Sequence, residues 1–499
     1  MIRRLFYSLH RFFGFIICLL LSMWFITGLV IIYHPFPNVT NEQKYANLET
    51  IHQKDLSVNI IDSISRIAAN EKIKKITLEQ FQGQARYNIK TDKRLYQLSA
   101  EGTRSEIRID INSIQNIASK WSQGSISKID TLVERDIWIM YNRYMKELPI
   151  YKVHFNDEEK HQLYISSGTG EVQQFTSFSQ RAWAYIGAIP HKFYIPALRK
   201  DTRVWADTVT VLSLISLLVG ITGLYVGIDA CVRRYRRKRR IQSPYKRKAY
   251  RWHHILGIIF GFFIITWSIS GALSLRKVPQ WMAKTHNPIP MGIKGKAISF
   301  DKYILDHKDI LKQYDEVKQI EWSYFQGKPV YNVVIGNQQV SFDASTSVVQ
   351  GLNLIEADIK KVIYNNHGEV DFAIETISDY ENYYIPWTRS LALPVYKVTV
   401  ADPDNSIYYI NPKNGDYKYI NDNRKVRKWL FFGLHYFHIK WLIDRPILWT
   451  IVVWTLALGC TCVSLTGVWL GIRYYKRKLR KIKRIICSSN KNRKCQKVE

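Results

Sequence analysis

Four runs of apolar residues, at about 12–33, 204–228, 255–275 and 447–472, interrupt an otherwise mixed chain. Each approaches the roughly 20 residues that carry a helix across a bilayer. Only the second run holds a charge, Asp207. A helix that is apolar on every face for this length has no polar side to turn toward water, so the runs read as transmembrane helices rather than surface helices of a soluble core. Between the runs the period changes. Stretches such as YNIKTDKRLYQLSA (87–100) alternate polar and apolar as half-exposed strands do. The pattern predicts a membrane α-helical protein with four spans and two α+β lobes. The predicted order is a first span with its lead over 1–33, a lobe over 34–203, a span at 204–228 and a basic loop over 229–254. A span at 255–275, a second lobe over 276–446, a span at 447–472 and a basic tail over 473–499 complete it.

Charge placement orients this arrangement. The formal net charge is +31, which taken alone points to nucleic acid. Its distribution excludes that reading. Residues 1–11, 231–251 and 473–499 hold 26 of the 72 Lys and Arg residues and a single acid, Glu499. Outside them the chain is nearly balanced. Basic flanks on alternate connections are the positive-inside signature, and they also meet anionic lipid headgroups. Both termini and the middle loop are therefore expected in the cytoplasm, with both lobes outside. Arg3 and Arg4 give the first run a signal-like start. The run is too long for a signal peptide, however, and HPFPNV follows it instead of a small-residue cleavage site, so it is expected to be a retained anchor. All six cysteines lie in the spans or basic segments, so disulfides are not expected to hold the lobes together. Cys460-x-Cys462 lacks the CxxC spacing of a metal site.

The two halves of the chain repeat. His10 opens the first run in HRFFG and His253 the third in HHILG, an offset of 243. Glycine follows each by 4, tryptophan by 14 and a second glycine by 18: Gly14, Trp24 and Gly28 against Gly257, Trp267 and Gly271. Phe81-Gln82-Gly83 recurs as Phe325-Gln326-Gly327, and PIYKVHF (149–155) as PVYKVTV (394–400). His191 and His435 each stand 32 residues before the glycine of a Thr-Gly step, Gly223 and Gly467. Gly168-Thr169-Gly170 and Asn414-Gly415 supply the left-handed positions a tight hairpin uses. Both halves enter the membrane from the same side, which predicts an internal parallel duplication about an axis along the membrane normal.

The repeat pairs the histidines. His10 and His253 fall at the cytoplasmic ends of their spans, and His191 and His435 at the outer ends. Two neutral imidazoles facing each other across a helix bundle make a six-coordinate, electron-transferring haem site. His254 beside His253, and His438 one turn from His435, are the rival ligands. His34, His286 and His367 read as ordinary surface histidines, and the aromatic set Tyr380, Tyr383, Tyr384 and Trp387 as core packing. No side chain is singled out as catalytic.

The YINPKNGDY hairpin (409–417), its counterpart YISSGTGEV (164–172), HRFFG opening a span, and spans closing in TGLYVGI and TGVWLGI resemble the PepSY-associated transmembrane family across nearly the whole chain. Membership would imply a bacterial inner-membrane protein with PepSY-like periplasmic lobes. It would also imply two haems b, one held by His10 and His253 and one by His191 and His435, reducing periplasmic ferric siderophore in iron uptake. The alternative within the same resemblance is a non-enzymatic membrane protein whose lobes bind a peptide, protease or transport partner. Two features depart from the family pattern: His254 stands where Arg11 does in the first half, and KFY and YFH replace the small residues after the later histidines. No GxGxxG-led βαβ unit is present to bind a dinucleotide, so the electron donor is expected to be a separate cytoplasmic partner or a quinol.

Overall fold

A computed structural model describes residues 2–495 except 54–55, 57–59, 69, 101–108, 287–299 and 388–389. The last four residues of the basic tail fall outside it. The chain folds as two units. One comprises Met1–Phe36, Gln180–Val278 and Arg427–Glu499; the other comprises Pro37–Ser179 and Pro279–Val426.

The first unit is built on four long helices: α1 (Ile2–Tyr33), α2 (Thr202–Lys238), α3 (Lys248–Ser274) and α4 (Pro446–Cys495). All four are long and apolar enough to cross a membrane. The Asp201 carboxylate starts α2 by accepting from the Arg203 and Val204 amides, and Arg239 in the left-handed region ends it. Helix therefore continues ten residues beyond the apolar run that ends at 228. The arginines there sit where cations offset the carbonyl end of the helix dipole. Helix α1 packs on α2 and α4, and α3 packs on the same two, so α1 and α3 lie across the bundle from each other. Ile17, Leu21 and Phe25 of α1 meet Val219, Ile264, Cys460 and Val463 in the shared core. Small residues set the crossings. A Cβ on Gly220 would stand 2.9 Å from Ile265, and a Cβ on Gly459 would overlap the Phe260 ring. Such close approach supplies the van der Waals contact that replaces the hydrophobic effect between helices in lipid. Ser22, Thr222, Ser268, Thr461 and Ser464 each donate to the carbonyl four residues earlier at 2.7–2.9 Å, which satisfies these hydroxyls in an apolar setting.

Short helices join the long ones in this unit, and two of them form corners, Ala188–Lys192 and Leu434–Tyr436. Each ends on a phenylalanine at φ 51°, Phe193 and Phe437. Each is tied down by an indole of the following long helix. Trp205 donates to the Lys192 carbonyl at 2.8 Å, and Trp449 to that of Tyr436 at 2.9 Å.

The second unit holds fourteen strands among its described residues. The first half gives β1 (Ile73–Phe81), β2 (Gln84–Thr91), β3 (Leu95–Ser99), β4 (Ser125–Leu132), β5 (Ile150–Asn156), β6 (Gln162–Ser166) and β7 (Val172–Thr176). The second gives β8 (Val317–Phe325), β9 (Lys328–Ile335), β10 (Gln338–Asp343), β11 (Phe372–Ile377), β12 (Val395–Val400), β13 (Ile407–Ile410) and β14 (Tyr417–Ile420). Strands β4 to β7 form one antiparallel meander and β11 to β14 another. A six-stranded sheet, ordered β10-β9-β8-β1-β2-β3, joins a three-stranded meander from each half through β1 and β8, with Ile76 opposite Trp322 and Leu78 opposite Ile320. The repeated Phe-Gln-Gly steps are its β1–β2 and β8–β9 turns. Gln82 and Gly83, and likewise Gln326 and Gly327, take positive φ at both central positions, the geometry that matches strand twist. Gly170 and Gly415 also have positive φ, +72° and +70°, and a Cβ there would meet the Phe81 and Phe325 rings at 2.8 and 2.6 Å.

Tyr380, Tyr383 and Tyr384 pack with Val395, Ile407 and Tyr409, whereas Trp387 is 41% exposed. His367 departs from the surface reading: its side chain is buried, with Nδ1 3.2 Å from Asp402 and Nε2 2.6 Å from the Tyr408 hydroxyl. His286 meets Asp404 at 3.0 Å. In the first unit His34 stacks on Trp183.

One buried histidine couples the large sheet to pH. His307 sits against Trp322, with Nε2 3.1 Å from the Tyr87 hydroxyl. Burial pushes its imidazole down to about 4, against the upward pull of Asp306. The unfolded chain takes up this proton near the ordinary value of about 6.5, so the contribution to stability is complete above that pH. It is lost as pH falls from about 6.5 toward 4, on the order of 3 kcal/mol for such a difference. Thermal unfolding of the full chain in detergent is expected to fall over that window, and His307→Gln to flatten the fall. Parallel pH curves for the two proteins would assign it to other groups.

Candidate functional site

The four histidines meet in two pairs, both inside the helical unit. His10 of α1 and His253 of α3 face each other across the bundle with ring centres 6.2 Å apart. His191 and His435, on the two corner helices, also stand 6.2 Å apart. On α1, His10 and the Thr27 contact of His191 are 17 residues apart, which places the pairs about 25 Å apart along the helix at 1.5 Å per residue.

Each ring is held the same way. His10 Nδ1 lies 3.2 Å from the Val219 carbonyl, and His253 Nδ1 lies 3.1 Å from that of Val463 and 3.0 Å from the Thr466 hydroxyl. His191 Nδ1 is 3.1 Å from both the Trp24 carbonyl and the Thr27 hydroxyl. His435 Nδ1 is 2.9 Å from the Ser270 hydroxyl. That hydroxyl already donates to Trp267, so it accepts from the ring. A carbonyl only accepts, so these contacts place the proton on Nδ1 and leave the lone pair on Nε2. No hydrogen bond to a described residue engages any of the four Nε2 atoms. Burial pushes His191 down to about 3, with His435 and Lys192 adding to the shift, and pushes His435 to about 4. Both are neutral at physiological pH, the form in which imidazole binds a metal.

These constraints fit a haem iron between each pair. Imidazole nitrogen binds a metal at about 2.0–2.1 Å and the ring centre lies roughly 1.1 Å behind it, so two imidazoles on one iron have centres about 6.3 Å apart. Orientation of the ligand ring through its second nitrogen is the usual support of such a site. A macrocycle also needs bare helix beside the ligand. Glycine stands one turn after His10 and His253, on the same face. A Cβ on Gly257 would meet nothing within 4 Å, and one on Gly14 only a Val219 methyl at 3.8 Å.

The rival histidines are engaged elsewhere. His254 is buried with Nε2 3.0 Å from the Gly227 carbonyl and its ring against Tyr245. His438 Nδ1 accepts from the Lys428 ammonium at 2.9 Å. Cys460 is buried and donates toward the Phe260 carbonyl at 3.6 Å, whereas Cys462 is exposed on its helix.

Several positioning groups escape a reading of the sequence. Trp24 and Trp267 repeat at a fixed distance from the first histidines, but their indoles serve the second pair, donating to the carbonyls of His191 at 3.1 Å and His435 at 3.0 Å. Thr27 and Ser270 share an offset of 243 and a role. Gly223 and Gly467 lie against the His10 and His253 rings, and Gly28 against that of His191, at 3.3 Å from where its Cβ would be.

Four apolar helices and a helical core make this a multi-pass membrane protein. Residues 7–297, more than half of the chain, match the family model described as the PepSY-associated TM region, and the chain belongs to that family. Among curated proteins none matches.

Proposed function

We propose that the protein is a transmembrane electron carrier of the bacterial inner membrane that holds two haems b and reduces ferric siderophore on its periplasmic side. The observation that carries this reading is the pair of histidine pairs: equal 6.2 Å spacing, Nδ1 tied down, Nε2 bare. His10 and His253 would hold one haem, and His191 and His435 the other. When bound, haem supplies reversible one-electron transfer. The bundle supplies a dry setting in which neutral imidazoles keep their orientation. The basic segments support cytoplasmic termini and periplasmic lobes, and the matched order of helices, hairpins and histidine contacts supports an internal parallel duplication. The electron donor is a cytoplasmic partner or a quinol. Ferric siderophores hold Fe(III) through hard oxygen ligands, which bind Fe(II) far less well, so one electron releases the metal.

The reading is tested by reducing the purified protein with dithionite, removing the excess anaerobically, and adding a ferric trihydroxamate. Haem bands are expected to return to the oxidised form at least about tenfold faster than in buffer, a modest gain for a bound acceptor. Haem that does not reoxidise faster with any ferric complex removes the reductase. Lobes that bind a peptide, protease or transport partner are then the better account.

A further inference from the structure

The end of the helical unit that bears His10 and His253 holds a cavity of about 890 Å³. It is within the roughly 300–1,000 Å³ range of small-molecule sites. Eight cationic side chains line it, among them Arg3, Arg4 and Arg11 of α1 and Arg234 and Arg237 of α2, and none of its lining residues is a carboxylate. The carboxylate nearby, Asp229, is held by Arg233 at 2.9 Å and by the Tyr7 hydroxyl at 3.4 Å. The Arg234 Nε is buried without a hydrogen-bond partner. Tyr7, Phe12, Tyr245, Tyr474 and Tyr475 wall the space. Arg11 lies over the Tyr474 ring, 5.1 Å from its centre.

Cations gathered from three helices around one opening repel one another, and a buried guanidinium N–H without an acceptor is costly. Charge repulsion on an open surface relaxes as long side chains spread into water. Here Arg233 and Arg234 are half-buried, and the Arg234 Nε is shut off from water altogether. An anion with several acceptor oxygens relieves both costs, and the planar fork of arginine matches phosphate in two-point contact. A single carboxylate would neutralise one of the seven charges that Asp229 does not meet, whereas a phosphate diester or diphosphate brings more charge or more acceptors in the same volume. We propose that this cavity binds a phosphate-bearing ligand, either the headgroup of an anionic lipid or a soluble diphosphate compound. The site is independent of whether the histidine pairs hold haem.

The test uses full-length protein in non-ionic detergent and two probes, dihexanoyl phosphatidylglycerol and inorganic pyrophosphate, titrated by calorimetry. At least one probe is expected to bind saturably. Binding is expected to weaken about tenfold in each of Arg11→Gln and Arg234→Gln, the loss of one charge-assisted contact. It should be unchanged in Lys476→Gln, an exposed cation at the same end that does not line the cavity. Binding of the lipid alone identifies a headgroup site, and binding of pyrophosphate alone a soluble ligand. Absence of saturable binding by both probes, or equal weakening in all three variants, overturns the proposal. Variants that keep probe binding and lose haem absorbance instead would assign the arginines to haem carboxylates and likewise overturn it.

Discussion

Replacing His191 with alanine is expected to remove about half of the haem absorbance and to leave the other half with unchanged band positions, because in the proposed arrangement two sites share the four ligands in pairs. His435→Ala should give the same spectrum, since each ring in a pair supplies one of two axial nitrogens. Combining His10→Ala with His191→Ala should leave none. The two pairs stand about 25 Å apart along the helices, so loss at one has no steric route to the other. His254→Ala and His438→Ala are the informative controls. His254 Nε2 is occupied by the Gly227 carbonyl, and His438 Nδ1 accepts from Lys428. Neither change should alter the haem-to-protein ratio by more than about a tenth, provided the variants are compared at equal folded content. Haem content unchanged in both His191→Ala and His435→Ala would move that proposed site to other residues, His438 first. A total loss on removing His191 alone would mean that the sites form only together.

The spans were legible because lipid imposes a length and a uniform apolarity that few soluble helices share. The histidine pairs were legible because the chain repeats: an offset of 243 or 244 picks His10, His253, His191 and His435, with His254 as the one rival, out of thirteen histidines without knowledge of contacts. The groups that orient them were not. Val219, Val463 and Trp24 act through backbone carbonyls, which any residue type supplies, so the sequence carries no mark of them. Trp24 and Trp267 stood out by spacing, yet their partners are 167 and 168 residues away, beyond what a local pattern reports. The Phe-Gln-Gly repeat showed as a motif but not as a turn, because glutamine rarely takes positive φ. The pairing of β1 with β8 was invisible for a different reason. Each half predicts its own meander, and which edge strands meet depends on packing between halves. His367 was misplaced at the surface because composition cannot foresee a carboxylate such as Asp402 waiting inside.

Two glycine replacements separate the shape of the protein from the shape of the proposed cofactor. A Cβ at position 223 would stand 2.6 Å from His10 Cε1 and 3.0 Å from Nδ1. The ring has little room to yield, because Nδ1 is tied to Val219 on the same helix, α2. Gly223→Ala must therefore push the imidazole off the 6.2 Å spacing, and overpacking of this kind costs about 1–3 kcal/mol. At about 1.4 kcal/mol per factor of ten, the His10–His253 site should bind haem roughly 5- to 150-fold more weakly, while the His191–His435 site keeps its own. Gly257→Leu makes the sharper test. A Cβ there meets no protein atom within 4 Å, so the side chain leaves the backbone without a clash. Its position one turn after His253 places the added side chain on the ligand face. Expected is a folded, membrane-inserted protein that has lost the haem of that pair and melts like wild type when both are prepared without haem. Full haem content in Gly257→Leu would mean that the bare face of α3 is not where the macrocycle lies, and the assignment of His10 and His253 as its ligands would fall with it.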